Sequence, residues 1–360
     1  MTSTSLVNHQ RPSLTQETDI STMAPINVGL IGGTGETGGA IAEGLFAAGG
    51  FNVVALTRPS SLSKPKAQAL KELGAELRPI DLHGSHEDLV KALNGIEILI
   101  SAIDARSQLD QLPLVAAAKE VGVKRFLPCA FITAMPAGGL HLLRDQKEVV
   151  YNAIRVAKLP FTIVDVGWWY QLAHRELPSG KIDYAIMLKG QNLPGDGNVP
   201  NAVTDLYDIG KYVAKIIVDD RTLNKSVLVY NEVLSPNQIV EMMEKLSGET
   251  IPRNYDSLET YQSRIATNTP IFAADPENNF LAGLMVIESQ YHISWGIRGD
   301  NTPENAKYLG YLTSKDLYPD LKFKGFEQYL TEVIEGKARV LGYEQMRELI
   351  KGLQEQHGSK

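Results

Sequence analysis

The sequence predicts a doubly wound α/β protein, in which a parallel sheet carries helices on both faces and is followed by a smaller α+β lobe. Three observations carry this. Apolar runs of strand length alternate with helix-length segments from Ile26 to Val166. A glycine triplet lies between the first run and the first helix. After Gly167 the alternation stops, and turn clusters such as Pro178-Ser179-Gly180 and Leu193-Pro194-Gly195-Asp196-Gly197 take over.

Residues 1–24 are polar, rich in Ser and Thr and without periodicity, so a disordered tail is expected. Asn27–Ile31 is a short apolar run suited to a buried parallel strand. Ala40–Ala48 has helical spacing and stops at Gly49-Gly50. Phe51–Leu56, Glu76–Ile80, Ile96–Ser101, Arg125–Pro128 and Phe161–Val166 read as the next strands. Between them, Lys66–Leu73, His86–Leu93 (opened by Ser85), Leu112–Val121 and a stretch from about Leu142 to Ala157 read as helices. Residues 25–166 thus form the first domain. Residues 167–360 form the smaller lobe, partly packed back on the sheet. In that lobe Thr204–Val218 reads as an amphipathic helix capped by Thr204 or Asp205, and Ser226–Tyr230 as a strand. Ser235–Leu246 is a helix that Ser235-Pro236 can open. A loosely helical stretch runs from Tyr255 to Gly325, with final helices near 326–335 and 343–354.

Composition excludes several classes. The 360 residues carry 35 Lys+Arg against 42 Asp+Glu, a net charge of −7 with no basic face for nucleic acid. The one cysteine, Cys129, excludes an internal disulfide framework and a cysteine-based zinc site, and no metal is expected. No apolar run reaches the roughly 18 residues needed to cross a bilayer, and the N-terminus lacks the apolar core of a secretory signal. A cytoplasmic protein is expected, with a small molecule as partner, no nucleic acid or membrane, and a homodimer as an option.

Gly32-Gly33-Thr34-Gly35-Glu36-Thr37-Gly38 follows a strand directly and opens a helix directly. Gly32 permits the tight turn, Gly35 lets backbone approach a pyrophosphate, and Gly38 lets the helix pack close to the strand. The helix N-terminus adds free N–H groups and a partial positive charge. This is the dinucleotide-binding turn of a Rossmann domain. An NAD site has an acid at the end of the second strand to bond the ribose diol. Here that position reads Thr57-Arg58-Pro59-Ser60. Arg58 can pair with a 2′-phosphate, and Lys66 is placed to add a second charge, so NADPH is expected.

The Tyr-x-x-x-Lys pair of short-chain dehydrogenases occurs as Tyr207–Lys211 and Tyr311–Lys315. Both lie far beyond the helix that follows the fourth strand and are set aside as chance. The helix before the sixth strand carries Lys147 instead. Its expected buried stripe is Val149, Val150, Ala153, Ile154 and Ala157, which leaves Lys147 at the edge, beside Ile154.

Several segments resemble the NmrA-like, atypical short-chain dehydrogenases, in particular the isoflavone reductase, phenylcoumaran benzylic ether reductase and pinoresinol-lariciresinol reductase group. The matching residues are Gly32–Gly38, Arg58-Pro59, Ile100-Ser101-Ala102, Lys124-Arg125-Phe126-Leu127-Pro128, Asp145-Gln146-Lys147 and Pro160-Phe161-Thr162. Gly195-Asp196-Gly197-Asn198, Asp208-Ile209-Gly210, Asp219–Lys225 and Tyr318-Pro319-Asp320 also match, in family order. The resemblance implies a cleft between an NADP-binding lobe and a smaller variable lobe, with a catalytic lysine at Lys147. The implied cofactor-binding set is Gly32, Thr34, Gly35, Glu36, Thr37, Gly38, Arg58, Lys66, Ser101, Ala102, Pro128, Cys129, Phe131 and Lys147. The implied reaction is hydride transfer to an enone, a quinone methide or a cyclic imine or iminium of a secondary metabolite. One departure stands out: plant members read Phe-Leu-Pro-Ser-Glu-Phe where this chain reads Phe126-Leu127-Pro128-Cys129-Ala130-Phe131. The lost hydroxyl and carboxylate argue for a substrate other than the plant ones, and Cys129 reads as a small apolar filler.

Trp168, Trp169 and Tyr170 follow the sixth strand at its carboxyl end, where ligands of open α/β sheets bind. They are read either as lining a ring-bearing substrate or as packing between lobes, with Tyr170 a second candidate proton donor. His141 and His174 are read as structural or exposed, and His83 and His86 as surface residues. The alternative to an enzyme is an NmrA-like dinucleotide-sensing regulator, which needs no lysine at the cleft.

Overall fold

A computed structural model of the chain describes residues 24–187 and 189–342. The expected tail, but for residue 24, and the expected helix near 343–354 lie outside the described residues. The first strands and helices follow the reading closely: β1 (Ile26–Ile31), α1 (Glu36–Ala48), β2 (Phe51–Thr57), α2 (Pro65–Glu72), β3 (Glu76–Pro79), α3 (His86–Leu93), β4 (Ile98–Ser101), α4 (Leu112–Glu120), β5 (Arg125–Leu127), α5 (Leu142–Val156) and β6 (Thr162–Asp165). Their local causes are plain. Ser85 accepts the Asp88 N–H to cap α3. Pro65 and Pro113 open α2 and α4, where no intrahelical N–H partner is needed.

β1 to β5 form one parallel sheet in the order β3-β2-β1-β4-β5. The ladder continues to β6 through the Phe126 N–H to Pro160 O (2.8 Å), Phe131 N–H to Val164 O (2.9 Å) and Val166 N–H to Ile132 O (2.8 Å) bonds. The strand order reverses between β1 and β4, the crevice where ligands of such sheets sit. Ile41 and Leu45 of α1 and Leu70 of α2 bury against one face; Leu89 and Leu93 of α3, Leu114 of α4, and Val150 and Ile154 of α5 bury against the other.

The rest of the chain comprises β7 (Trp168–Trp169), α6 (Tyr170–Ala173), β8 (Leu193–Pro194), β9 (Asn201–Thr204), α7 (Ile209–Ile216), β10 (Lys225–Leu228), β11 (Glu232–Leu234), α8 (Pro236–Ser247), β12 (Tyr255–Asp256), α9 (Leu258–Ala274), α10 (Phe280–Tyr291), α11 (Pro303–Tyr308), β13 (Leu312–Thr313), α12 (Ser314–Leu317) and α13 (Phe326–Ile334). Much of it serves the first sheet. β6, β10 and β13 pair in parallel. α7 packs on α1 at a close crossing, where a Cβ on Gly210 would lie 2.0 Å from Ala40 O. The buried Arg125 of β5 then donates to Ile216 O, Asp219 O and Thr222 Oγ1 at the far end of α7. The small lobe proper has its own core of Tyr170, Val203, Ile239, Met243, Phe326 and Leu330.

Two expectations are corrected. The helix expected over Thr204–Val218 starts later. Thr204 ends β9, and Asp205 accepts the Tyr207 N–H to cap a short 3₁₀ turn before α7. The buried stripe of α5 is Leu143, Arg144, Lys147, Val150, Tyr151 and Ile154, while Val149 is 51% exposed. Lys147 is therefore on the inner face, not at its edge. Among the described residues, no helix is long and apolar enough to cross a membrane.

Candidate active site

The glycine turn joins β1 to α1 beside the strand-order reversal. Gly32 has φ +78°, and a Cβ there would lie 2.3 Å from Ala102 O. A Cβ on Gly38 would lie 2.1 Å from Gly32 O. Both glycines are required by the protein's own packing. Gly35 is different. It is exposed at the head of α1 with φ −83°, and a Cβ there would meet only Gly32 O, at 3.3 Å. Space that the protein leaves unfilled at a helix N-terminus fits a pyrophosphate. Across the reversal, Ser101 ends β4 fully buried, and its hydroxyl has no partner among the described residues. Thr34, Glu36 and Thr37 lie on the same turn. We expect Gly38→Ala to lower the melting temperature sharply and Gly35→Ala to leave it nearly unchanged while weakening NADPH binding at least tenfold. Thermal unfolding and a cofactor fluorescence titration check both.

Arg58 follows β2 and is exposed. Lys66 lies nearby, 3.7 Å from Glu36 Oε1. Here the last described residues cross the first lobe. Leu341 is 3% exposed within the first-lobe core, and Arg339 pairs with Glu43 at 2.9 Å and stacks 4.1 Å over the Tyr207 ring.

The second half of the site is built at the carboxyl end of β5. Pro128 leads into Cys129, and Phe131 is held at φ +51°, outside the usual range for a side chain of its size. This bend presents the Cys129 carbonyl to α5. Lys147 is 2% exposed, and its Nζ donates to Cys129 O at 2.8 Å and to Gln108 Oε1 at 2.7 Å, with Cys129 Sγ at 3.8 Å. Burial holds the Lys147 amine below the ordinary lysine range. Asp145, its companion in the Asp-x-Lys pattern, turns away and accepts the Gly138 and Gly139 N–H groups at 2.8 Å each. Gln290 of α10 accepts the Leu142 N–H, so the small lobe caps the helix that carries the lysine.

Two further groups adjoin α5. Arg144 donates to Asp165 Oδ2 at 2.9 Å, and the Tyr311 hydroxyl donates to the same oxygen at 2.6 Å, all three groups being buried. His141 heads the helix with its ring 4.1 Å from that of Tyr291, and burial lowers its pKa to about 3, so it is neutral. Trp168 lies against Tyr291 and Trp295, with centroids 5.3 and 5.4 Å away.

Tyr170 is not brought to this site. It is fully buried in the small-lobe core, edge-on to Phe326 at 4.7 Å, with its hydroxyl donating to Lys324 O. Burial raises its pKa, and its hydroxyl proton is committed to a backbone carbonyl of the small lobe. His174 is buried against Tyr170 and Tyr329, as a structural residue. His83 and His86 face Asp110 and Glu120 on the surface. Among the described residues no three His, Cys, Asp or Glu side chains are grouped to hold a metal. Two groups beside α5 carry no sequence motif of a site: Gln108, bonded to Lys147, and Tyr311, bonded to Asp165, whose Tyr-x-x-x-Lys spacing is chance. Gln108 is marked only by its place, just after the carboxyl end of the strand next to the glycine turn.

The NmrA-like family model matches residues 26–330, most of the chain and every element of the site. The chain belongs to the NmrA-like family. Its relatives include the Asnovolin J 5',6'-dehydrogenase of Aspergillus novofumigatus, 42% identical over 315 residues and covering 86% of this chain and 96% of the relative. Phenylcoumaran benzylic ether reductase TP7 of Nicotiana tabacum is 31% identical over 318 residues, covering 84% and 96%. Among solved structures, the binary complex of leucoanthocyanidin reductase with NADPH from Vitis vinifera superposes with a TM-score of 0.71 at 26% identity, over 86% of this chain and 99% of that one. These relatives are oxidoreductases, and the expectation of an enzyme of this NmrA-like group is met.

Proposed function

We propose that this NmrA-like chain is an NADPH-dependent oxidoreductase that reduces a polarised C=C or C=N bond of a small secondary-metabolite substrate, with Lys147 as its acid. The observation that carries the reading is the buried Lys147 amine, held by two neutral oxygens at the carboxyl edge of the sheet. The glycine turn and the Ser101 hydroxyl, unpartnered among the described residues, fit the pyrophosphate end of a dinucleotide, and Arg58 and Lys66 fit its 2′-phosphate. Bound there, reduced pyridine nucleotide would supply a hydride to the electrophilic carbon. The electron pair of the C=C or C=N bond then moves to the neighbouring atom, to which Lys147 gives a proton, leaving a neutral amine. Where substrate charge develops without full transfer, the ammonium stabilises it electrostatically. Burial favours this chemistry by making the amine a readier donor.

The relatives named as reductases support this direction. The relative named as a dehydrogenase supports the same hydride chemistry run in reverse. The test is deuterium transfer. NADPH carrying deuterium at the reactive ring carbon is incubated with the protein and a panel of enones, cyclic imines and quinone methides, and product label is read by mass spectrometry. Tight NADPH binding with no label in any product overturns the reading and leaves a dinucleotide sensor. For the cofactor choice, Arg58→Ala should raise the NADPH Kd about ten- to hundredfold, the loss of one charge-assisted phosphate pair, and leave the NADH Kd within about twofold.

A further inference from the structure

Residues Ala105–Gln111 form a 3₁₀ helix between β4 and α4, capped by Asp104 accepting the Arg106 N–H. Two amides on it are buried: Gln108 is 1% and Gln111 0% exposed. A buried amide must satisfy both its ends. Gln111 accepts the Cys129 N–H at 2.8 Å and donates to Gln108 O at 2.9 Å. It bolts the helix to the end of β5. Gln108 donates from Nε2 to Asp104 O at 2.8 Å, and its Oε1 accepts from Lys147 Nζ at 2.7 Å. The amide orientation follows from its neighbours, because a backbone carbonyl can only accept and an ammonium can only donate.

Among the described residues no carboxylate is hydrogen-bonded to the Lys147 ammonium, and Asp165 acts on it through its charge alone. Asp165 on β6 spends its bonded oxygen on Arg144 and Tyr311. Asp145 on α5 itself is turned to the Gly138 and Gly139 N–H groups. Arg144 is one turn back on the same helix, His141 at its head is neutral, and the Cys129 thiol lies beside the amine. From α10, the Tyr291 hydroxyl is protonated because burial raises its pKa, and Glu288 faces Gln191 and His292. On the 3₁₀ helix and its cap, Asp104 and Arg106 are exposed to solvent and Asp110 faces His83; on α4, Lys119 and Glu120 are likewise exposed.

We propose that Gln108 is a positioning residue of the reaction, whose uncharged amide oxygen aims the Lys147 amine at the substrate while leaving the amine free to part with its proton. The inference rests on the reading of Lys147 given under Proposed function. A neutral acceptor orients an ammonium without the strong stabilisation of the charged form that a carboxylate would bring. Glutamine at this place thus selects both the direction and the acidity of the amine.

The test reads the lysine directly. Full-length protein labelled with ¹³C-lysine is titrated by NMR, and the Lys147 side-chain signal is assigned as the one lost in Lys147→Met. Gln108→Glu should raise its titration midpoint by at least about one pH unit, the effect of an opposite charge in contact. Gln108→Leu, which removes the acceptor and adds no charge, should not raise it. With 2-cyclohexen-1-one and NADPH as probe, the alkaline loss of kcat/KM should move upward with the midpoint in Gln108→Glu. In Gln108→Leu, kcat should fall about ten- to hundredfold while the KM for NADPH stays within twofold. An unmoved midpoint in Gln108→Glu, or an unchanged kcat in Gln108→Leu, overturns the proposal. Should Gln108→Glu fail to fold, the kcat and KM of Gln108→Leu decide alone. Full turnover in Lys147→Met would instead overturn the role of Lys147, whatever the Gln108 variants do.

Discussion

Replacing Lys147 with methionine is expected to lower NADPH-dependent turnover by about 10²–10⁴-fold, the range for loss of a placed general acid. The protein should remain folded. Methionine keeps the length and apolar stem of the side chain, which already lies on the inner face of α5. It deletes the donor to Gln108 Oε1 and Cys129 O, at about 1–3 kcal/mol for each acceptor left buried and unpaired. It also deletes the burial of an amine. That second term carries a pH signature. Burial depresses the folded-state pKa of Lys147, so the unfolded chain binds the proton more tightly. The wild type therefore gains stability as pH rises through the window between the folded value and the unfolded value of about 10.4. It loses that stability as pH falls. The methionine variant lacks this dependence and should gain on the wild type towards neutral pH. Single-turnover kinetics and thermal unfolding at pH 7 and pH 10 check the two halves. Retained turnover, or an unfolded variant at both pH values, would contradict them.

The second large effect is structural. Arg144→Met leaves Asp165 buried with one of its two donors, and should destabilise the fold by about 3–5 kcal/mol, as breaking a buried ion pair does. Arg144 is held cationic by that carboxylate. Burial already raises the Asp165 pKa, with Arg144 and Tyr311 pulling against it. Without Arg144 the folded-state pKa climbs further above the unfolded one. The deficit should then be small near pH 4 and grow as pH rises. Urea unfolding across that range reads it. Tyr311 reaches Asp165 from the stretch before β13, so the same variant should loosen the small lobe and expose Cys129, beside Lys147, to thiol reagents.

The glycine turn and the strands around it were legible because their requirements are local. A Cβ at Gly32 or Gly38 collides with backbone a few residues away or on the next strand, and only glycine satisfies that. The runs NVGL and ILIS are apolar on both faces because both faces are covered. These patterns need no knowledge of what lies beyond the neighbouring strand. The motif that pointed to Lys147 was legible too, but its burial was not. Apolarity alone set the inner face of α5 on Val149, whereas Arg144 and Lys147 take places in the true stripe by finding buried partners.

By itself, then, the sequence determined the parallel α/β lobe and the glycine turn that opens its first helix, and its resemblance to the family marked Lys147. Tertiary structure alone decided which elements of the second half, β10, β13 and α7, pack back on the first sheet, that Tyr170 lies in the small-lobe core, and that Gln108 and Tyr311 reach the buried polar groups at α5. The reason is physical. Periodicity and turn chemistry act over a few residues, whereas a buried polar side chain is stable only beside a partner that the fold supplies. The more distant of its two partners is 39 residues away for Lys147 and 146 for Asp165, with no trace of the pairing in the spacing of either.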